Sequence, residues 1–288
     1  MNISIGTAQF MSNYGVNRVP KSFNFNEKSK LIKSAQNNDV LHIDTAFSYG
    51  NAHKELGKIG IKKFKVTTKL PVISIKTKNL EKKITNLTFQ ATKDLKIKKI
   101  DTLLIHSYKN LIELNKKKYL ESLKKMKSKG LVNNIGISLY KSNEVNKILK
   151  FWKPDVIQLP YNIFNRDIEV KKILPILKRK KIKVQVRSVF LQGLLTSNKR
   201  PKKFLKWKKY FDEWFQWCQK NQIESKTAAL LFVKANKIID RFIIGFENSK
   251  QLQDILKARK IKKQYSFPKI KCKDRKLLDP SNWSKLIK

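Results

Sequence analysis

Cysteine is nearly missing: Cys218 and Cys272 are the two in 288 residues. Their separation matches no metal spacing and no disulfide framework, which points to a reducing compartment. Histidine is almost as scarce. With only His42, His53 and His106, a multi-histidine metal centre is poorly supported, although His42 and Asp44 alternate along one strand-like run. No apolar run approaches the ~18–20 residues of a membrane span. The start, Met1-Asn2-Ile3-Ser4-Ile5-Gly6, lacks a basic region followed by an apolar stretch, so no secretory signal is expected. A cytoplasmic protein without a metal is the expectation. No linker rich in Pro, Gly or Ser divides the chain.

Acidic residues are few, 21 against 65 basic ones, and the formal net charge is +44. Such a charge suits a phosphate-bearing partner or an anionic surface. The excess is nearly all lysine, however, scattered among many Ile and Asn. Arginine, which nucleic-acid sites favour, is scarce. No nucleic-acid motif accompanies the charge, so biased composition explains it more simply and no specific nucleic-acid partner is expected. At 41% hydrophobic residues the chain is no disordered polycation.

What is present is an alternation of short β-rich runs with longer lysine-faced amphipathic segments. Strands are expected at 3–8, 40–43, 64–69, 102–105, 132–138, 156–159, 182–188 and 242–244. Helices are expected at 27–36, 52–59, 78–94, 117–128, 142–150, 168–179, 227–235 and 249–258. In the third helix Leu80, Ile84, Leu87 and Ala91 recur at helical spacing. Gly130 is placed to cap the helix before it, since it takes positive φ at no steric cost. Eight strand–helix pairs in one run argue for an α/β fold, a single (β/α)8 TIM barrel with parallel strands. A doubly wound sheet would carry a glycine-rich fingerprint after an early strand, and none is there. The barrel is expected to occupy 1–288, with a loop and helix insertion at 196–221 and a tail at 262–288 that could lie over the active-site mouth.

Three of the strand-like runs end on titratable groups: Asp44, Lys69 and His106, with Tyr49 in the loop beyond the first. Barrel chemistry sits at the carboxyl ends of strands. Each residue alone has a plain alternative. Lys69 could be a solvated charge, Tyr49 a turn aromatic, His106 a strand cap and Asp44 a helix N-cap. Together an acid, an ammonium, an imidazole and a phenol can move a proton.

Several passages, in order along the chain, resemble the aldo-keto reductase family. They are Ile43-Asp44-Thr45-Ala46 with Tyr49-Gly50-Asn51, Lys69 after its strand, and Asp101-Thr102-Leu103-Leu104-Ile105-His106. Gly130-Leu131-Val132 then leads to Ile135-Gly136-Ile137-Ser138, followed by Gln158 with Tyr161-Asn162. Arg187-Ser188-Val189-Phe190-Leu191-Gln192-Gly193-Leu194-Leu195 and Ile244-Gly245 with Gln251-Leu252 complete the set.

The resemblance implies a barrel that binds NAD or NADP without a Rossmann fold and interconverts a carbonyl and an alcohol. It implies Tyr49 as the general acid, Lys69 as the cation stabilising its phenolate, Asp44 as the group holding Lys69, and His106 as the orienter of the carbonyl. It further implies cofactor contacts from Thr7, Asp44, Ser138, Gln158, Arg187, Ser188, Val189, Leu191, Gly193, Gly245, Glu247 and Gln251. Two positions depart from the pattern: Leu139 where Asn is frequent, and Arg187 where an aromatic often stacks on the nicotinamide. Glu247 in the last loop favours NAD slightly, because an acid repels a 2′-phosphate and accepts from a free ribose hydroxyl.

The resemblance implies a small carbonyl compound or alcohol as substrate. The opening Gly6-Thr7-Ala8-Gln9-Phe10 and the 187–195 loop resemble bacterial members of sugar and polysaccharide pathways, which hints at a sugar or nucleotide-sugar. The insertion's Trp207, Phe211, Trp214, Phe215 and Trp217 fit either a helix packed on the barrel or an aromatic lid. Two other functions stay open: a cofactor-binding regulatory barrel with little turnover, and a basic protein for nucleic acid or an anionic surface.

Overall fold

A computed structural model describes residues 2–11, 15–16, 23–280 and 283. Eight parallel strands follow one another in chain order around a closed barrel: β1 (Ile3–Gly6), β2 (His42–Asp44), β3 (Lys65–Leu70), β4 (Ile100–Ile105), β5 (Val132–Ser138), β6 (Val156–Pro160), β7 (Lys183–Arg187) and β8 (Arg241–Gly245). β8 closes on β1 through Ile5↔Ile244 and Gly6↔Gly245, which removes the exposed edges an open sheet would carry. The fold is a (β/α)8 TIM barrel.

Alternation along the strands sorts side chains into two environments. Ile43, Val66, Leu103, Ile137, Ile157, Val184 and Val186 face outward into the continuous apolar core beneath the helices. Each such side chain contributes about 1.5–3 kcal/mol over its exposed state. The residues between them, Asp44, Lys69, Gln158 and Gln185, turn inward and bond to one another across the barrel axis.

The helices around the barrel are α1 (Phe25–Asn37), α2 (Ala52–Ile59), α3 (Leu80–Leu95), α4 (Tyr108–Glu113), α5 (Lys116–Ser128), α6 (Ser142–Leu149), α7 (Asp167–Val170), α8 (Ile173–Arg179), α9 (Lys208–Lys220), α10 (Ser225–Ala235), α11 (Ser249–Arg259) and α12 (Arg275–Leu278). Asparagine starts several of them. Asn24, Asn79, Asn115 and Asn248 each accept a backbone N–H of the first turn, a cap worth about 1 kcal/mol. After α5, Gly130 sits at φ +71 and Leu131 N–H returns to Met126 O, closing the helix.

Two of the helical elements between strands differ from the sequence reading, and α12 forms within the stretch expected only as a tail. The helix expected at 168–179 is broken into α7 and α8 at Lys172, which is left-handed at φ 53. Pro175 supplies the reason: it has no N–H for the carbonyl of residue 171, and its ring would collide with it. The short helix α4 was not expected. Ser107 caps it, and Asn110 within it bonds both the N–H and the carbonyl of Ile73, fixing the β3–α3 loop against the β4 loop.

The aromatic insertion packs. Phe204, Trp207, Phe211 and Trp214 are buried in the core, and Trp214 Nε1 donates to Leu195 O at 3.0 Å. Trp217 stacks on Trp214 and donates to Ser266 O, which ties the tail to α9. Among the described residues no helix is long and apolar enough to cross a membrane, and no group of three or more His, Cys, Asp or Glu side chains could hold a metal. His42 bonds Arg241 at the start of β8, the barrel end opposite Asp44.

Candidate active site at the carboxyl mouth of the barrel

The site grows from one buried ion pair. Lys69 Nζ donates to Asp44 Oδ1 at 2.6 Å, with the two residues 1% and 3% exposed. A second bond from Lys69 runs to Thr45 O at 3.0 Å. The other Asp44 oxygen accepts from Gln158 Nε2 at 2.8 Å, and that amide also reaches Gln185 Oε1. Ser138 Oγ donates to Gln158 Oε1 at 3.4 Å. Thr7 fixes the backbone, giving both its N–H and its hydroxyl to Asp44 O. A buried pair depends on partners for its remaining hydrogen-bonding sites, and Thr45 O on the ammonium and Gln158 on the carboxylate supply one each.

Tyr49 is brought to the pair by the turn that follows β2. Thr45 N–H bonds Thr67 O and Phe47 N–H bonds Lys69 O, so the turn lies along β3 before α2 begins. Phe47 packs edge-on against buried His53, whose Nε2 is 2.8 Å from Thr68 Oγ1. Tyr49 thereby sits with its ring centroid 5.1 Å from Lys69 Nζ. His106, the residue after β4, stands edge-on to Tyr49 with ring centroids 6.2 Å apart, and its Nδ1 is 3.4 Å from Ser48 Oγ.

Burial dominates the electrostatics. It pushes the Tyr49 phenol above its ordinary range; the Asp44 charge adds to this and the Arg187 charge opposes it. It pushes the Lys69 ammonium down, against the pull of Asp44. His106 is lowered to about 3 by burial and by the Lys69 and Arg187 charges, so its imidazole is neutral at ordinary pH.

A cleft of about 1230 Å³, counted to its open rim, runs from Asp44 and Tyr49 past β7 to β8. On the β7 side the backbone is left-handed at Ser188 (φ 59), Leu191 (φ 48), Gln192 (φ 53) and Gly193 (φ 93). Non-glycine residues in that region cost on the order of 1–3 kcal/mol each. Asn162 Nδ2, donating to Ser188 O at 2.8 Å, holds the start of the loop in place. On the β8 side the Gln9 carboxamide lies over Gly245 so closely that any Cβ there would displace it.

The sequence model of the Aldo/keto reductase family matches residues 2–273. The chain belongs to that family. It is therefore an oxidoreductase of the class that interconverts carbonyls and alcohols with NAD(P)H. Solved aldo-keto reductases share the fold at low identity. AKR11C1 from Bacillus halodurans, in its holo form, is 16% identical with TM-score 0.71, covering 92% of this chain and 88% of its own. The thermostable aldo-keto reductase Tm1743, in complex with the inhibitor epalrestat, is 19% identical with TM-score 0.69, covering 97% and 94%. PA4992 from Pseudomonas aeruginosa, a putative aldo-keto reductase, is 17% identical with TM-score 0.66, covering 89% and 88%. No curated protein sequence matches the chain.

In this aldo-keto reductase the cleft is lined by Asp44, Tyr49, Arg187, Ser188, Val189, Gly193, Gly245, Glu247 and Gln251 from the sequence reading. Lys69 and His106 flank Tyr49 without lining it, while Ser138, Gln158 and Thr7 stand around Asp44. Leu191 is fully buried and does not line the cleft. The sequence reading missed Gln185, Tyr140 and Lys226. Gln185 had a signal: it precedes Arg187 by two on β7 and so shares its inward face. Tyr140, whose ring lies 4.0 Å under the Arg187 guanidinium, and Lys226, which lines the cleft from α10, had none.

Proposed function

We propose that the protein reduces a small carbonyl compound with Tyr49 as proton donor. The observation that carries this is the buried Lys69–Asp44 pair held beside the Tyr49 ring at the cleft's inner end. The cleft also fits a nicotinamide dinucleotide. Its β7 side is a left-handed loop whose backbone N–H groups favour an anion such as a pyrophosphate, and its β8 side offers the bare Gly245 backbone. Residues 188–193 would wrap the pyrophosphate, Ser138 and Gln158 the carboxamide, Arg187 the nicotinamide face, and Thr7, Glu247 and Gln251 the remainder. Bound there, the cofactor supplies the hydride.

The chain's own residues handle the proton. The Tyr49 phenol is protonated at neutral pH as any phenol is, and because burial raises its pKa further, release of that proton to the carbonyl oxygen depends on the cation held beside it. The phenolate left behind is stabilised by Lys69, whose charge Asp44 favours. Neutral His106 faces the same ring and offers an N–H to the carbonyl, stabilising charge that develops in the transition state.

Finer readings rest on single features. Glu247 lines the cleft and favours NAD over NADP. The tail is read as approaching the mouth through Arg275, which donates to Tyr140 O at 2.9 Å. The substrate is read as a sugar or nucleotide-sugar carbonyl. Free, buried Cys218 and Cys272 fit a reducing cytoplasm. The test is to mix the protein with NADH or NADPH and a panel of aldehydes and sugars, following the absorbance of the reduced nicotinamide. Tyr49→Phe should cut turnover by about 10²–10⁴-fold while cofactor binding persists. Unchanged turnover in that variant overturns the assignment, and cofactor binding without turnover in the wild type would favour a regulatory barrel.

A further inference from the structure

Arg187 is an unbalanced charge beside the reacting groups. It ends β7 half-buried and lines the cleft together with Asp44 and Tyr49. Its position is fixed by neutral partners: the Tyr140 ring at 4.0 Å, Leu139 O accepting from NH2 at 3.1 Å, and Ser188 Oγ at 3.5 Å from NH1. Among the described residues no carboxylate forms an ion pair with it. Asp44 is committed to Lys69 and Gln158. Lys226, the other cation along the cleft, is matched by Asp254 and Glu224. Glu247 lines the cleft but makes no pair with Arg187. His106 is neutral and adds no second positive charge, and the Arg187 field reaches Tyr49, Lys69 and His106 alike.

A guanidinium has five donors in a planar fork that matches a carboxylate or phosphate. Here two of them are occupied, one weakly, and the plane is already oriented by Tyr140. Holding such a group unpaired in a half-buried cleft is unfavourable, and a ligand anion removes the cost. Two anions could do so, a cofactor phosphate or a charged group on the substrate. The pyrophosphate loop begins after Arg187 and carries its own backbone donors, whereas the Arg187 charge acts on the proton-transfer residues themselves. Arg187 would also oppose the positive charge that a nicotinamide acquires on losing hydride, and a substrate anion would screen that opposition.

We propose that the substrate carries a carboxylate or phosphate close to its carbonyl, and that Arg187 pairs with it. This rests on the oxidoreductase reading and names the substrate class of the same site. The test compares matched aldehydes: succinic semialdehyde against butanal, and glyceraldehyde 3-phosphate against glyceraldehyde. Wild type, Arg187→Met and Arg187→Lys are assayed with reduced cofactor. Calorimetric titration of succinate into each protein with bound cofactor gives a readout independent of turnover. The expected result is a wild-type preference in kcat/KM of roughly 10- to 100-fold for the charged member of each pair. In Arg187→Met the ratio should fall towards one and succinate binding should be lost. Arg187→Lys should be intermediate, since it keeps the charge and loses the fork. A wild-type ratio near one, or a ratio that survives in Arg187→Met with cofactor still bound, overturns the pairing and leaves the oxidoreductase standing. A preference that vanishes only because cofactor binding vanishes shows that Arg187 serves the nicotinamide face alone and also overturns the pairing. Failure of the wild type to bind either cofactor or reduce any aldehyde overturns both readings.

Discussion

Replacing Asp44 by Asn tests the ion pair on which the proposed chemistry rests. The change is nearly isosteric, so it removes charge without opening a cavity. The introduced carboxamide could still accept from Lys69 with its oxygen, but its NH2 would then face the Gln158 amide that now donates at 2.8 Å. Turning Gln158 over relieves that clash and sets its oxygen against Gln185 Oε1, which now accepts from it at 3.2 Å. Either arrangement leaves one buried polar group mismatched, and the Lys69 ammonium loses its carboxylate at 1% exposure. Removing one partner of a buried pair costs about 3–5 kcal/mol. For a chain this long, about 2 °C per kcal/mol gives a melting temperature lower by roughly 6–10 °C. The sign of the pH dependence follows from Lys69. Unfolded, it has the same ordinary pKa in both proteins, so the unfolded states cancel. Folded, burial already lowers it in the wild type, and loss of Asp44 lowers it further. The variant sheds the proton first. Its deficit is therefore full below its own folded pKa and shrinks as pH climbs towards the wild-type value. Circular dichroism melts at about pH 6 and 9 measure this, alongside turnover, which should fall as Lys69 is discharged. Equal melting temperatures at the lower pH, or a deficit that grows with pH, would refute the reasoning.

Two further outcomes bear on the site. With His106 lowered to about 3 and Tyr49 raised, carbonyl reduction should show no histidine inflection between about pH 5 and 8, and kcat should fall only in alkaline solution. An inflection near pH 6.5 that disappears in His106→Gln would contradict this. Side-by-side Michaelis constants should favour NADH over NADPH, and Glu247→Ser should narrow the gap; a wild-type preference for NADPH would reject Glu247 as the discriminator.

The barrel was legible because its signal is repeated. Each strand is a short aliphatic run, each helix a longer lysine-faced stretch, and eight repetitions outweigh errors of one or two residues at the ends. What failed was local and had a local cause. A proline three residues into α8 forced the break at Lys172, although the apolar spacing runs straight through it. In the site, Asp44, Lys69 and His106 could be found because a strand's last inward residue has a defined place. Tyr140 could not, because its part is played by a ring lying under a guanidinium from another strand, and no spacing within one segment encodes that contact. The aromatic insertion was ambiguous for a related reason. Helical spacing of Trp and Phe shows that one face is apolar without showing what covers it, and the cover proved to be the barrel and the tail.

Lysine posed the hardest discrimination, since a chain with net charge +44 offers dozens of equivalents to Lys69. Burial alone does not separate it. Lys28 is 6% exposed and bonds Glu55 at 2.8 Å and Phe10 O at 3.1 Å, with the Phe10 and Phe23 rings close by. That arrangement ties α1 to α2 and the β1 loop, and every neighbour of the ammonium is a structural partner. The Lys69 ammonium has the same kind of carboxylate and carbonyl partners, but one further neighbour, Tyr49, that itself opens on the cleft. A charge shut away from the ligand can influence chemistry only through a proton-carrying group that stands between it and the space the ligand enters. Lys28 lacks such a neighbour and Lys69 has one, so the two buried pairs separate by what stands in front of them.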